Sequence, residues 1–231
     1  MNGLDILAFG AHPDDVEIGM AGTIAKQVQA GGRVGICDLT EAEMSSNGTV
    51  ERRRREAAEA AAVLGLSARS CLGLPDRGLS LSEAHIAAIV KEIRTHRPRM
   101  VFAPYWEDRH PDHIACSRLV EEAVFNAKLR RYMPDLPPVQ VEQLLFYYIN
   151  DVKDVSLMVD VSSVYGQKLQ ALSAYRSQFE PAGPGSDRVA TPLTQRYVEN
   201  VEARDRLLAG QRQWTFAEGF AIKRPFAVER F

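Results

Sequence analysis

Residues 5–23, DILAFGAHPDDVEIGMAGT, join a short apolar run to a charged turn and then to a helical repeat. The run at residues 5–10 has the length and the apolar character of a buried parallel strand. Over residues 16–30, apolar or small side chains recur at helical spacing until Gly31 and Gly32 end the repeat. The stretch therefore predicts a strand that passes through a charged turn into a helix.

The same alternation continues along the chain. Further strands are predicted at residues 33–39, 69–72 and 99–103, and further helices at residues 49–64, 82–96 and 111–128. A regular strand–helix order is typical of a Rossmann-like α/β fold, with a doubly wound, mostly parallel sheet and helices on both faces. In such a sheet the reactive groups lie beyond the carboxyl ends of the strands.

The second half of the chain has weaker patterns. Residues 143–148 and 155–161 resemble strands, and residues 165–178 and 194–212 resemble helices. Because neither a linker nor an internal repeat separates the halves, we predict a single domain over residues 1–231. Its strand–helix core covers about residues 1–128, and a part that extends the sheet covers about residues 129–231.

The composition excludes several classes of protein. A hydrophobic fraction of 45% allows a sizeable core, and a net charge of −2 gives no electrostatic reason to expect a nucleic-acid or membrane partner. No apolar stretch approaches the roughly 18 residues that span a bilayer, and the start lacks a basic leader. Cys37, Cys71 and Cys116 are widely spaced in apolar segments, which predicts buried, unpaired thiols. We expect a soluble, cytoplasmic protein.

Two short motifs contain most of the informative ionisable residues. AHPDDVE at residues 11–17 follows the first strand, and DRHPDH at residues 108–113 follows the strand at 99–103. These two strands should be neighbours at the switch point of a doubly wound sheet, so the motifs should meet in space. Together they hold three of the five histidines of the chain.

These residue types fit a hydrolytic metal centre. His12, Asp15 and His113 supply two imidazoles and one carboxylate, which leaves positions open on Zn²⁺ for water and a substrate oxygen. The same donors suit Fe²⁺, so the metal used in the cell stays open. Asp14 is the natural general base for the water, and His110 is left as a cation or acid facing the oxyanion.

Both motifs also have a structural interpretation. Acidic residues such as Asp14, Asp15 and Glu17 often cap a helix or complement its dipole, and HPDH is compatible with an ordinary helix that begins at proline. Each motif alone is ambiguous in this way. Their occurrence at two matched loops of the sheet favours the metal site.

Longer stretches around the motifs are also informative. They are AHPDDVEIGMAGT at 11–23, LTEAEMSSNGTVERR at 39–53, LGLPDRGL at 72–79, APYWEDRHPDH at 103–113, SQF at 177–179, TPLTQRYVE at 191–199 and AEGF at 217–220. These stretches resemble the LmbE-like (PIG-L) family of zinc-dependent N-acetylglucosamine deacetylases. Within that family the chain most resembles the branch that deacetylates N-acetylglucosaminyl malate in bacillithiol biosynthesis.

The resemblance implies a role for each site residue. It implies that His12, Asp15 and His113 bind the metal, that Asp14 is the base, that His110 stabilises the tetrahedral intermediate, that Arg53 contacts the sugar, that Tyr197 polarises the amide carbonyl, and that Glu43 and Asp76 contact sugar hydroxyls or support the ligands. It also implies a small amino-sugar substrate and a homo-oligomer, either a trimer or a hexamer.

The sugar-contacting arginine falls within a run of four, residues 52–55. On the predicted helix 49–64, Arg53 shares the inward stripe with small and apolar residues, so it should face the site. The other three arginines should form a solvated face with Glu51, Glu56 and Glu59 as local partners.

Two other functions are compatible with part of the sequence. One is an amidase or deacetylase that acts on another amino-sugar conjugate. The other is a sugar-binding module without turnover; a nucleotide-binding module is disfavoured, because carboxylates rather than glycines follow the first strand. If the substrate carries malate, Arg109 and Arg130 are the candidates to bind its carboxylates.

Overall fold

The structure, a computed structural model, describes residues 3–183 and 188–225 of the chain. Its strands are β1 (Ile6–Gly10), β2 (Val34–Thr40), β3 (Ala68–Leu74), β4 (Met100–Pro104), β5 (Gln143–Tyr147), β6 (Leu157–Asp160) and β7 (Ala217–Ala221). Its helices are α1 (Asp15–Gln29), α2 (Val50–Leu64), α3 (Glu83–His96), α4 (Pro111–Ala127), α5 (Tyr165–Ala174), α6 (Arg176–Phe179) and α7 (Tyr197–Ala209). Two 3₁₀ helices, Ser162–Val164 and Gly210–Arg212, complete the elements.

The described strands form one sheet in the order β3-β2-β1-β4-β5-β7-β6. Strands β1 to β5 are mutually parallel, and only the last two pairings, β5 with β7 and β7 with β6, are antiparallel. The predicted α/β class and the mostly parallel sheet are therefore confirmed. Strand order reverses between β1 and β4, which are neighbours as the sequence predicted.

Each face of the sheet carries its own apolar core. Alternate residues of β1 point to opposite faces, with Ile6 in the core beneath α1, α2 and α5, and Leu7 in the core beneath α3 and α4. This two-sided burial explains why the parallel strands read as nearly continuous apolar runs. The helices lie on both faces, as expected.

Helix α1 approaches the sheet closely because it carries glycine at the points of contact. A Cβ atom built on Gly19 would lie 2.1 Å from the Tyr147 ring, and one on Gly22 would lie 2.8 Å from Val161. The Tyr147 hydroxyl in turn donates to the Phe9 carbonyl at 2.8 Å, which ties β5 to β1 beneath the helix. The tight contact holds the first turn of α1 against the carboxyl ends of the central strands.

The same helix is broken in the middle. Met20 has φ −151° and ψ 20°, so the segment before it and the segment after it have different axes. A strand that we did not predict, β7, lies beside this break, between β5 and β6. Four of its five residues, in AEGFA, are alanine, glutamate or glycine, which are depleted in strands, so no strand pattern is evident.

The cysteines only partly match their prediction. All three are free thiols, and Cys37 and Cys116 are buried, but Cys71 is exposed. The expectation of a buried Cys71 was wrong because β3 is the edge strand of the sheet, where the outer flank has no neighbouring strand. Among residues 3–183 and 188–225, no helix combines the length and the apolar character needed to cross a bilayer.

Candidate active site

The loops after β1 and β4 meet at the carboxyl edge of the sheet, as their motifs predicted. They form the floor of a cleft of about 510 Å³. The described lining comprises His12, Asp14, Asp15, Ile18, Ala42, Met44, Ser45, Ser46, Asn47, Arg53, Asp76, Arg77, Arg109, His110, His113, Ile149, Asn150, Gln178, Thr191, Pro192, Leu193 and Tyr197. Both halves of the chain therefore contribute to one cleft.

His113 is oriented by two carboxylates. Its Nδ1 lies 3.0 Å from Asp108 Oδ1, and its Nε2 lies 3.1 Å from Asp15 Oδ1. In the neutral ring, a hydrogen bond from Nδ1 to Asp108 would leave the Nε2 lone pair on the side of Asp15, available to a metal. This is the arrangement expected of a histidine that binds a metal through Nε2.

The His12 ring turns its Nδ1 toward Asp15, whereas His113 turns its Nε2 toward it. Its Nε2 lies 3.2 Å from Asp76 Oδ1 and 3.6 Å from Asp112 Oδ2, whereas its Nδ1 lies 3.5 Å from Asp15 Oδ2. If Nε2 carries the proton for Asp76, Nδ1 is the nitrogen available beside Asp15. The backbone N–H of His12 also donates to Asp15 Oδ2 at 2.9 Å.

Asp15 thus lies beside both His12 and His113, and these two rings have ligand atoms within 4.8 Å of one another and of His110. A second such group joins His12 to Asp76 and Asp112. Imidazole and carboxylate donors of this kind fit a divalent transition metal. Burial alone raises the pKa of Asp15, but the adjacent His113 and His12 outweigh burial and hold it well below its usual range. Burial lowers the pKa of His113, yet Asp15 and Asp108 raise it to about 9. Burial lowers the pKa of His12 as well, but the neighbouring carboxylates outweigh burial and raise it. A metal that binds here would displace a proton from His12 and from His113, because only the neutral imidazole is a ligand.

Asp14 differs from its neighbour in conformation and in charge. It adopts φ 111°, which is unusual for a residue other than glycine, and its side chain makes no capping hydrogen bond. Its Oδ2 instead accepts from Arg53 Nη2 at 3.1 Å. Burial raises the pKa of Asp14 to about 7, against the lowering effect of Arg53. The helix-cap interpretation is thus wrong for this residue.

His110 precedes α4 and caps it. Its Nδ1 accepts from the Asp112 backbone N–H at 3.2 Å, so the neutral ring carries its proton on Nε2. Burial and the rings of His113 and His12 lower the pKa of His110. The ring is therefore a neutral donor rather than a cation. Only the backbone of Asp112 contacts the His110 ring in this way, because the Asp112 carboxylate accepts from the backbone N–H and the guanidinium of Arg77.

The remaining predicted site residues occupy two positions relative to the cleft. Arg53, Tyr197 and Asp76 line it. Glu43 is exposed and accepts from the Asp76 backbone N–H at 2.7 Å, so it supports the loop that holds Asp76. Burial raises the pKa of Asp76, but His12 outweighs that effect and brings it to about 2.

The arginine run has the register that the helical stripe predicted. Of the four arginines, all within the described residues, Arg53 alone is buried and lines the cleft. Arg54 pairs with Glu41 at 2.5 Å on the surface. Glu56 is a partner of the run as expected, since it accepts from Arg52 Nε at 3.2 Å. Its expected solvated position was wrong, because Glu56 is buried and also accepts from both the N–H and the hydroxyl of Ser177.

Two residues of the site were not assigned a role from the sequence. Asp108 Oδ1 accepts from the His110 backbone N–H at 2.8 Å, from the His113 ring, and from Asn150 Nδ2 at 2.8 Å. Asn150 Oδ1 lies 3.2 Å from the Tyr197 hydroxyl. Asp108 stands in the quoted motif and could have been suspected. Asn150 follows β5 without any motif that would mark it.

Comparison with known proteins gives consistent matches. A family model described as GlcNAc-PI de-N-acetylase (PIG-L) matches residues 7–124. The diacetylchitobiose deacetylase of Thermococcus kodakarensis is 32% identical over 189 residues, which cover 75% of this chain and 70% of that protein. A probable N-acetyl-alpha-D-glucosaminyl L-malate deacetylase 2 of Bacillus subtilis is 28% identical, with 76% of this chain and 83% of that protein covered.

A solved structure supports the same grouping. The crystal structure of a conserved protein from Thermus thermophilus matches this fold with a TM-score of 0.89. The two sequences are 39% identical, and 97% of each chain is covered. The similarity therefore extends beyond the two motifs to the C-terminal strands and helices.

The contacts of Asp108 predict an effect on metal affinity. Asp108→Asn should weaken Zn²⁺ binding by about 10- to 100-fold, because the uncharged amide orients and polarises His113 less well. Competition with a chromophoric chelator measures the affinity. Asp135→Asn, a change at an exposed carboxylate, is the control. Equal affinities for the two variants would show that Asp108 does not support the ligand.

Proposed function

The chain belongs to the PIG-L (LmbE-like) family, whose relatives deacetylate N-acetylglucosamine-type substrates, and we propose that it is a zinc-dependent hydrolase that removes the acetyl group from N-acetylglucosaminyl malate. The observation that carries the reaction type is Asp14. A buried carboxylate in a strained conformation, with no capping bond and a raised pKa, stands beside three converging ligands. Such a group suits proton transfer rather than helix stability.

We assign the roles as follows. A divalent cation bound by His12, Asp15 and His113 would polarise the amide carbonyl and make water more acidic. Asp14 accepts a proton from the attacking water, whose oxygen forms the new bond to the acetyl carbon. His110 donates its Nε2–H to the oxyanion.

Collapse of the tetrahedral intermediate completes the reaction. The C–N bond breaks, and protonated Asp14 returns its proton to the departing amine, so that acetate and the free amino sugar leave. In the structure the Tyr197 hydroxyl lies 3.2 Å from Asn150 Oδ1 and 3.2 Å from the Ile149 carbonyl. With substrate bound, we assign it as the second donor to the carbonyl oxygen of the substrate.

Arg53 has two tasks in this scheme. Its Nη1 and Nη2 groups bond to Ser45, the Pro13 carbonyl and Asp14, which fixes the base. Its Nε is one of four buried side-chain polar atoms without a hydrogen-bond partner among the described residues. An unsatisfied buried donor beside the cleft fits a substrate hydroxyl as its partner.

Removal of the base tests the proposed reaction. Asp14→Asn should retain bound metal and fold, but lose activity by about 10²- to 10⁴-fold, because the amide cannot accept the proton. Acetate release from N-acetylglucosaminyl malate and metal content per chain are the measurements. Wild-type protein stripped of metal by a chelator should also be inactive. Wild-type protein that releases no acetate from any acetylated amino sugar would leave a binding module as the better interpretation.

The Arg53–Asp14 pair predicts a change in pH dependence. The base must be ionised, so kcat/KM should fall as pH drops through the pKa of Asp14. Without a bound cation this pKa is raised to about 7, and a cation in the site would lower it from there. Arg53→Gln removes the positive charge that lowers this pKa, so the acid limb should move to higher pH. Arg54→Gln should leave the profile unchanged, because Arg54 pairs with Glu41 on the surface. An unmoved acid limb in Arg53→Gln would contradict the assignment of Asp14 as base.

The proposal that the substrate carries malate, an acidic group linked to the sugar (the aglycone), rests on arginines in the cleft lining. The described lining includes Arg109 and Arg77 but not Arg130. Arg77 donates to Asp112 Oδ1 at 3.1 Å, which leaves Arg109 as the better candidate to bind a malate carboxylate. The similar protein from Bacillus subtilis is a probable deacetylase of N-acetylglucosaminyl malate, which supports this choice of substrate.

The two predicted arginines make a matched pair for a test of the aglycone. Wild-type kcat/KM should favour N-acetylglucosaminyl malate over methyl N-acetylglucosaminide by about tenfold or more, the scale of one charged hydrogen bond. Arg109→Ala should lose this preference, whereas Arg130→Ala should keep it. Equal rates on both substrates in the wild type would exclude malate recognition and favour a deacetylase of another amino-sugar conjugate.

A further inference from the structure

Backbone groups on both sides of the break in α1 form hydrogen bonds with side chains from the C-terminal part. In a regular helix the Gly22 N–H would bond to the Ile18 carbonyl. Here the Gly22 N–H donates to Glu218 Oε1 at 2.9 Å, and the Thr23 N–H donates to Glu218 Oε2 at 2.6 Å. The Ile18 carbonyl accepts instead from Arg204 Nη2 at 2.9 Å. The Gly22 and Thr23 amides and the Ile18 carbonyl are therefore satisfied by charged side chains from the C-terminal part.

These two side chains belong to a closed, buried network. Lys168 Nζ bonds to Glu218 Oε1 and to Asp205 Oδ2, both at 2.7 Å, and Arg204 Nε bonds to Asp205 Oδ1 at 2.9 Å. The side chains of Lys168, Asp205 and Glu218 are almost completely inaccessible to solvent. Two cations and two anions leave no net charge, so none of the four is an unpaired buried charge.

The network borders the cleft without lining it. The segment of α1 before the break carries Asp15 and Ile18, both of which line the cleft. Arg204 Nη1 also donates to the carbonyls of Tyr148 and Ile149, directly before Asn150 in the chain. Movement of the network would therefore shift both a proposed metal ligand and the wall that carries Asn150.

We propose that Glu218, the acidic residue of the AEGF motif, is a positioning residue that sets the angle between the two segments of α1 and thereby places Asp15. This inference rests on the proposed function, because Asp15 matters only where it binds a metal. The competing interpretation is that Glu218 neutralises Lys168 and contributes only to stability. The two differ in what happens to the first segment of α1 when the protein stays folded.

Glu218→Gln is the informative variant. It keeps one oxygen to accept a backbone N–H, but replaces the second acceptor with a donor that faces the Thr23 or Gly22 N–H. Glu218→Ala removes both acceptors. The control is Ile24→Val, which removes one buried methyl group from the second segment of α1 and leaves the break intact.

Three measurements on the full chain separate the interpretations. Hydrogen exchange of the metal-free protein, read on peptides that contain residues 20–24, reports the Gly22 and Thr23 amides directly. The visible absorption spectrum of the Co²⁺-loaded protein reports the geometry of the ligands. Steady-state kinetics of the zinc-loaded protein give kcat and KM for deacetylation.

If Glu218 positions Asp15, Glu218→Gln should speed exchange over residues 20–24, alter the Co²⁺ spectrum and lower kcat by about tenfold or more, the scale of losing a supporting residue, with KM little changed. Glu218→Ala should show larger changes of the same kind. Ile24→Val should lower the melting temperature and leave the Co²⁺ spectrum and kcat as in the wild type. If Glu218→Gln does not fold, the double variant Glu218→Gln with Lys168→Met takes its place. This variant also removes the buried lysine charge that glutamine at position 218 cannot neutralise.

The inference is overturned if a folded Glu218 variant retains the wild-type Co²⁺ spectrum and kcat, even with faster exchange. A wild-type protein that binds Co²⁺ but releases no acetate would instead refute the proposed function. The exchange and spectral measurements would then still report whether Glu218 places Asp15.

Discussion

Buried carboxylates at the carboxyl edge of the sheet must each have a cationic partner, and this requirement determines much of the architecture. Asp14, Asp15, Glu17 and Asp38 are all at most 4% exposed. Unpaired charges at such depth would be too costly to keep, so other elements supply the partners: α2 places Arg53 on Asp14, β3 places Arg69 between Glu17 and Asp38, and α4 places His113 on Asp15. The surrounding elements are therefore tied to the same few carboxylates.

The partners also divide these carboxylates by task. Arg69 bonds to Glu17 at 2.5 Å and to Asp38 at 2.9 Å, and Tyr175 donates to Glu17 as well, so this pair is locked into the frame. Asp14 has one guanidinium partner, a strained backbone and a raised pKa. Burial also raises the pKa of Asp38, to about 6, but Asp38 and Glu17 do not line the cleft. Asp14 does line it, so its raised pKa is available for proton transfer near neutral pH.

The sequence was informative where a pattern is local and repeated. The strand–helix alternation predicted β1 to β4 and helices α1 to α4, and two proline-linked motifs predicted which loops would meet. It failed where distant residues decide the outcome. The break at Met20 is satisfied by Glu218 and Arg204, nearly two hundred positions away, and Asn150 reaches Asp108 from an unmarked loop. The assembly into a trimer or hexamer is implied by the resemblance alone and stays a prediction.

The late position of β7 has a consequence for how the protein is made. Strand β6 pairs only with β7 among the described strands, and the Gly22 and Thr23 amides obtain their acceptor from the same strand. During synthesis, these groups wait until residues 217–221 have left the ribosome, long after β1 to β5 could associate. The nascent chain can thus assemble a sheet early, whereas the helix that bears Asp15 is completed only after β7 has emerged.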